Sequence, residues 1–157
     1  MSQKITPNLW FDTEAEEAAE FYCSVFKDSR IVQKTNYAEG TDRAGTVVTV
    51  EFELNGEQFI GINGGPQFKF DEAVSFSVDC KDQDEVDYFW EKLGEGGEHG
   101  PCGWLKDRYG LSWQVVPHGL EELFRDPDPE RASRAMAAMM KMTKLDLAAV
   151  QAAADGD

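Results

Sequence analysis

The sequence predicts an α+β fold of two βαβββ modules followed by C-terminal helices. The order strand, helix, three strands occurs in residues 3–64 and again in residues 72–117. The pair Phe21-Tyr22 in the first predicted helix reappears as Phe89-Trp90 in the second, whereas residues 118–157 show only helical spacing. We therefore expect a duplicated unit and a helical tail within one domain of residues 1–157, a length that buries a sizeable core without disulfides.

The first module begins with "ITPNLWF", which has the composition of a strand. In "TEAE", Thr13 and Glu16 have the spacing of a capping box, so we expect a helix to start there with each side chain accepting from a free amide. The strands "TVVTVEFEL" and "EQFIGIN" flank Asn55-Gly56, which predicts a two-residue hairpin turn.

The second module repeats this order after the loop "GGPQFKFDE". Its strand "AVSFSVDC" precedes Asp82, which together with Glu85 predicts the cap of the second helix. The module ends in "PCGWLKDRYGLSWQVVP", where Asp107 and Gly110 have the chemistry of a three-residue hairpin turn. This turn pairs Lys106 with Ser112, Leu105 with Trp113, and Trp104 with Gln114.

The tail is predicted to hold two helices, the first capped by Asp128 with Pro129 at its first position. Its methionines supply adaptable packing, against the body or against a second copy of the chain: Met136, Met139, Met140 and Met142.

Charge and cysteine spacing narrow the classes of partner. The net charge of −15 opposes binding to nucleic acid and to anionic lipid, and no run of about 18 apolar residues predicts a membrane span. The N-terminus lacks the pattern of a secretory signal, so we expect a cytoplasmic protein. Cys23, Cys80 and Cys102 lack metal or redox spacing and are expected to be reduced, packed thiols.

The chain resembles the vicinal oxygen chelate superfamily, the fold of glyoxalase I and bleomycin-resistance proteins, and within it the PhnB-like branch. The resemblance rests on "EEAAEFYCSVF", "DEVDYFWEKL" and "GWLKDRYGLSWQVVP", and with the element order it covers about residues 3–118. It implies that the modules form a cupped mixed sheet that binds a small molecule, and that the protein is a homodimer. Members of this branch often carry the label of a demethylubiquinone methyltransferase. However, "INGGP" leads into a proline loop and not into a helix, so no turn for a nucleotide-like cofactor is predicted.

The resemblance also implies metal ligands at four positions, which fall here at Pro7 or Asn8, Ile60, Ala73 and Gln114. None of these residues is a His, Asp, Glu or Cys, the donors that a divalent ion prefers. His99 and His118 lie beside glycine or proline in predicted loops. We therefore predict no metal and no cofactor.

Strand alternation divides the last hairpin into an apolar face and a mixed face that, by the resemblance, lines the cup. Alternation counted outward from the Asn55-Gly56 turn likewise gives the first module a mixed face. It contains Glu51, Gln58, Ile60 and Ile62. An aromatic wall with a few polar groups suits a small-molecule pocket, whose predicted ligand-binding residues are Trp104, Gln114, Gln58, Ser112 and Ile60.

Two other functions remain open. The protein is a metal-independent enzyme if Glu51 acts as an acid/base or Cys102 as a thiol nucleophile on a small carbonyl or aromatic compound. It is an interaction protein if the pocket is vestigial and the tail helices serve assembly.

Overall fold

The computed structural model describes residues 3–157 and confirms the α+β fold, with one four-stranded mixed sheet in each half. The chain forms two compact units that divide after Phe70. The tail belongs to the second unit. Within the described residues no helix is long and apolar enough to cross a membrane.

The first unit contains the predicted order strand, helix, three strands. Its elements are β1 (Asn8–Phe11), α1 (Ala15–Val25), β2 (Arg30–Asn36), β3 (Val47–Leu54) and β4 (Glu57–Asn63). The sheet order is β1-β4-β3-β2, with β1 parallel to β4 and the other pairs antiparallel. Leu54 pairs with Glu57, so the two-residue turn at Asn55-Gly56 is confirmed.

Helix α1 packs its apolar stripe on one face of this sheet. Tyr22 is fully buried and its ring stacks over Phe52 at 6.2 Å between centroids. Small side chains at Ala15, Ala18 and Ala19 let the helix lie close to the strands, and all three are fully buried. Burial of this stripe stabilises the unit, by about 25 cal/mol for each Å² of apolar surface removed from water.

The capping box predicted for α1 is wrong. The first amide of the helix, on Ala15, donates instead to Asn63 Oδ1 at 2.8 Å, and the N-cap residue Glu14 caps no amide of the helix. Glu16 pairs with Lys34 Nζ at 2.7 Å. Asn63 is already fixed because its Nδ2 donates to the Val47 carbonyl at 3.0 Å, so it offers an ordered acceptor that a mobile threonine side chain does not.

The second unit repeats the sheet. Its elements are β5 (Ser75–Cys80), α2 (Gln83–Gly94), β6 (Glu98–His99), β7 (Trp104–Lys106) and β8 (Ser112–Pro117), in the sheet order β5-β8-β7-β6. Here the predicted cap is confirmed: Asp82 accepts from the Glu85 amide at 2.9 Å, and the Glu85 carboxylate accepts from the Lys81 amide at 2.8 Å.

The tail holds three helices where two were predicted: α3 (Leu120–Phe124), α4 (Pro129–Met139) and α5 (Leu147–Asp155). The short α3 was missed because a five-residue helix carries too little periodicity to recognise. The cap by Asp128 is confirmed, since its carboxylate accepts from the Glu130 amide at 3.0 Å. The three helices and the loop before α5 share a small core of Leu120, Ala135, Leu145, Val150 and Ala154.

The four tail methionines have different environments. Met139 and Met142 pack against the tail core together with Val116 of β8, in agreement with the packing role predicted for them. Met136 and Met140 are 41% and 62% exposed. Only two of the four therefore serve the interior of this unit.

Candidate functional site

The last hairpin has the predicted register. Trp104 pairs with Gln114, Leu105 with Trp113, and Lys106 with Ser112. The Asp107 amide donates to the Leu111 carbonyl at 2.9 Å, and the Gly110 amide donates to the Asp107 carbonyl at 2.9 Å. A short turn of this type fixes which side chains share a face, so the composition of each face follows from the turn.

Asp107 does more than start the turn. Its buried carboxylate accepts from the amides of Tyr109 at 2.8 Å and Leu111 at 3.1 Å, and from the indole Nε1 of Trp113 at 2.9 Å. The sequence signal for this second role of Asp107 was Trp113, because a buried indole N–H needs an acceptor. Asp107 therefore ties the turn to the core.

The mixed face of the second sheet is called here the polar face; strand register adds two serines of β5 to the residues predicted from the hairpin. It comprises Ser75, Ser77, Trp104, Lys106, Ser112 and Gln114, and the same alternation continues to Asp79 and Val116. Gln114 Nε2 donates to Ser75 Oγ at 2.9 Å, so its Oε1 keeps its acceptor capacity. Lys106 forms an ion pair with Glu72, and this contact raises the pKa of Lys106 and lowers that of Glu72. The charge of the lysine is therefore balanced.

Ser112 is the unusual member of the polar face. It is fully buried, and its hydroxyl has no hydrogen-bond partner within residues 3–157. Leaving such a group unpaired costs about 1–3 kcal/mol. Trp104 and Gln114, its neighbours on the face, are half-buried.

The residues predicted from the first module lie on its own sheet. Ile60 is half-buried between its register partners Asn8 on β1 and Glu51 on β3. Glu51 and Gln58 are exposed. The backbone of Gln58 is held by the side chain of Gln3, at 2.9 Å for the amide and 3.0 Å for the carbonyl. A ligand-binding role for Gln58 and Ile60, and an acid/base role for Glu51, stay predictions.

The positions implied for a metal carry poor donors. Asn8 lies beside Ile60. Gln114 lies beside Ser77 and not beside Ala73, because β5 starts at Ser75 and Ala73 belongs to the turn before it. These positions offer an amide and a hydrocarbon in the first unit and an amide and a hydroxyl in the second, and neither pair fits a divalent ion. Within residues 3–157 no cluster of three or more His, Cys, Asp and Glu side chains has the proximity to hold a metal.

Both histidines have other partners. The His99 ring stacks on Trp90 at 4.5 Å between centroids, and its Nε2 donates to the Trp90 carbonyl at 2.9 Å. His118 Nδ1 lies 3.0 Å from the Asp79 carboxylate.

The three thiols differ in their surroundings. Cys80 is fully buried, and burial raises its pKa to about 12. Burial also raises the pKa of Cys23. Cys102 is half-buried with a φ of 58°, and its Sγ lies 4.0 Å from Met140 Sδ. With His99 held by Trp90, the hydrogen bonds of the described residues give Cys102 no imidazole base, and its role as a nucleophile stays a prediction.

We expect Cys80 to react with an aromatic disulfide reagent at about pH 8 only after unfolding, because roughly one thiol in 10⁴ is ionised there and the sulfur is buried. Because burial disfavours the thiolate, ionisation of Cys80 in the unfolded chain lowers the free energy of unfolding as the pH rises from 9.0 toward about 12, and has no effect well below 9.0. Absorbance measured with and without denaturant counts the thiols. A Cys80→Ala variant should lose one thiol in denaturant and none in the native state; a loss in the native count contradicts the expectation.

The first unit also contains a cavity of about 450 Å³ that the sequence did not predict. We call it the strand-end cavity, since it lies where β1 and β4 end and α1 begins. Its lining residues are Asp12, Thr13, Glu16, Tyr37, Arg43, Thr46, Val47 and Asn63. The signal for it was weak: polar residues directly after a strand in "DTEAE", and an arginine in the loop "TDRAGT".

Comparisons with known proteins agree on the fold. The family model described as 3-demethylubiquinone-9 3-methyltransferase matches residues 3–116, so the three tail helices lie outside the match. A solved structure from Bacillus cereus, "Putative 3-demethylubiquinone-9 3-methyltransferase, PhnB protein", is 38% identical, with a TM-score of 0.65 over 73% of this chain and 99% of that one.

More distant structures share the fold alone. A protein from Pseudomonas aeruginosa is 18% identical, with a TM-score of 0.62 over 74% of this chain and 98% of its own. The fosfomycin resistance protein FosX from Mesorhizobium loti is 15% identical, with a TM-score of 0.56 over 78% and 96%. No curated protein matches the chain.

Proposed function

The chain belongs to the 3-demethylubiquinone-9 3-methyltransferase family, a PhnB-like branch of the vicinal oxygen chelate superfamily, and we propose that it binds a small, uncharged, partly aromatic molecule without a metal. The site is the polar face of the second sheet. The proposal concerns binding and assigns no reaction.

The unpaired hydroxyl of Ser112 carries the proposal. Most buried polar groups in proteins have a hydrogen-bond partner, so a buried group without one needs an explanation. Ser112 lies beside Lys106 on β7 and Ser75 on β5, yet its Oγ bonds to neither. A ligand atom that pairs with this hydroxyl would recover the free energy that the unpaired hydroxyl costs.

The neighbours of Ser112 indicate the class of ligand. Trp104 offers a flat apolar ring, and Gln114 offers an ordered amide oxygen, held by the bond from its Nε2 to Ser75. Lys106 is paired with Glu72, and the carboxylates of Glu98 and Asp71 also act on it, so no unpaired cation remains to attract an anion. A planar, uncharged molecule with one or two hydrogen-bonding groups suits these surroundings.

Metal independence is supported by the residues at the implied positions, Asn8 and Ile60 in the first unit and Ser77 and Gln114 in the second, which offer neither carboxylate nor imidazole. The methyltransferase description receives no support from Gly64-Gly65, because the residues between β4 and β5 form no helix. A nucleotide-like cofactor bound at a glycine-rich turn needs the helix that follows it.

A thermal-shift screen with benzamide, phenol, indole and quinoline, repeated with a chelator, tests the proposal. We expect at least one compound to raise the Tm of the wild type in both conditions. Trp104→Ala and Ser112→Ala should each weaken its binding by about tenfold or more. Without ligand, Ser112→Ala should keep or raise the free energy of unfolding, by up to about 2 kcal/mol, since it removes an unpaired polar group.

Ser133→Ala on the exposed surface of α4 is the matched control and should change neither quantity by more than about 0.5 kcal/mol. A compound that stabilises the wild type and both site variants equally does not use the polar face. Binding that the chelator abolishes contradicts metal independence. Failure of every compound favours an interaction protein with a vestigial pocket.

We further propose a homodimer in the cytoplasm. The half-exposed Met136 and Met140 on the tail support assembly through this surface, because methionine is common at adaptable interfaces. The three cysteines are unpaired, in agreement with a reducing compartment. Light scattering at low protein concentration measures the mass, and a monomer there contradicts the dimer.

A further inference from the structure

The strand-end cavity is built from ordered backbone. The Gly64 amide donates to the Phe11 carbonyl at 2.9 Å and the Gly65 amide to the Asp12 carbonyl at 3.3 Å, so β1 and β4 stay bonded beyond their ends. Asn63 connects this floor to the start of α1 and to β3 through its side chain. The cavity therefore has a fixed base that needs no ligand to form.

Tyr37 connects Asn63 to an arginine that lines the cavity. The Tyr37 hydroxyl donates to the Asn63 carbonyl, and Arg43 Nη1 donates to that hydroxyl at 3.4 Å. The guanidinium carbon of Arg43 lies 5.7 Å from the centre of the Tyr37 ring. A cation over an aromatic face is attracted to it, which orients the guanidinium without neutralising it.

Of the three charged side chains that line the cavity, one forms an ion pair and two do not. Glu16 bonds to Lys34 Nζ at 2.7 Å. Asp12 and Arg43 form no ion pair within 4.0 Å with any residue that the structure describes. One carboxylate and one guanidinium thus line the same cavity of about 450 Å³ without neutralising each other.

We propose that the strand-end cavity binds a zwitterion of the amino-acid class, with its ammonium group at Asp12 and its carboxylate at Arg43. A simple anion would meet the Asp12 carboxylate, and a simple cation would meet the guanidinium of Arg43. Only a molecule with both charges satisfies both residues, and arginine binds carboxylates through two parallel hydrogen bonds. The volume lies in the range of small-molecule sites. This site is independent of the polar face.

Titration of the isotope-labelled full chain with each of the twenty common amino acids, followed by amide NMR shifts, tests the proposal. We expect saturable shifts for at least one amino acid at residues 12–16, 43–47 and 63. The amide of that amino acid lacks the carboxylate, and its N-acetyl form lacks the ammonium group. Each should bind about tenfold more weakly or worse.

Variants of Asp12 and Arg43 test which residue binds which charged group of the amino acid. Asp12→Asn should weaken binding of the amino acid about tenfold but leave binding of its N-acetyl form unchanged, because that form has no ammonium group to lose. Arg43→Gln should weaken binding of the amino acid but leave binding of its amide form unchanged, because that form has no carboxylate to lose. Arg43→Lys should retain part of the affinity because it keeps the charge. Arg125→Gln, an exposed arginine of the second unit, is the control. If no amino acid gives saturable shifts at these residues, or if both site variants bind as the wild type does, the proposal is wrong.

Discussion

Replacement of Asp107 by alanine is expected to lower the free energy of unfolding by about 3–5 kcal/mol. The substitution removes the acceptor of two backbone amides and of the Trp113 indole, and each buried donor left unpaired costs about 1–3 kcal/mol. Urea denaturation followed by tryptophan fluorescence measures the loss.

Asp107→Asn provides the graded comparison, because its Oδ1 still accepts from Tyr109 and Leu111 while its amide group faces the indole N–H of Trp113. We expect about 1–3 kcal/mol for this variant. In its background Trp113→Phe should cost less than in the wild type, since no indole donor then lacks an acceptor. Strict additivity of the two substitutions would show that the indole bond does not contribute.

Replacement of Gly103 by alanine is expected to cost about 2–5 kcal/mol of unfolding free energy. The residue has a φ of 82°, and an added Cβ would lie 2.8 Å from Leu145 Cδ1 and 2.9 Å from the Val115 carbonyl oxygen. The positive φ alone costs about 1–2 kcal/mol in an L-residue, and overpacking adds about 1–3. The Val115 carbonyl belongs to the sheet and cannot move aside.

Gly110→Ala separates the two causes. Gly110 has a φ of 88°, but no atom lies within 4 Å of an added Cβ. It should therefore cost only the conformational part, about 1–2 kcal/mol. Urea denaturation of both variants gives the difference, and equal losses would show that Leu145 and Val115 yield at no cost.

The parts of the fold that could be predicted depend on local chemistry. Asp107 and Gly110 define a turn by their own residue types, and the register of Trp104 with Gln114 follows by counting from it. The cap at Asp82 likewise involves residues close in sequence. Such features carry their signal within a few positions.

The parts that could not be predicted depend on residues distant in sequence. The first amide of α1 bonds to Asn63 of β4, which no local pattern around Thr13 reveals. The sequence placed Ala73 in the strand before α2, but β5 starts only at Ser75. Its start is set by pairing with β8, which lies far away in the sequence. The strand-end cavity combines a strand end with the loop that holds Arg43, and its existence depends on how the two meet.

The position of the tail core has a consequence for biosynthesis. All residues of the first unit have been made once Phe70 is added, so its internal contacts can form while the ribosome is still producing the second. The second unit must wait longer, because Val116 of its sheet packs against a core that includes Val150 and Ala154. Until those residues emerge, the apolar surface at the end of β8 stays open to water, and the nascent chain is then most exposed to aggregation.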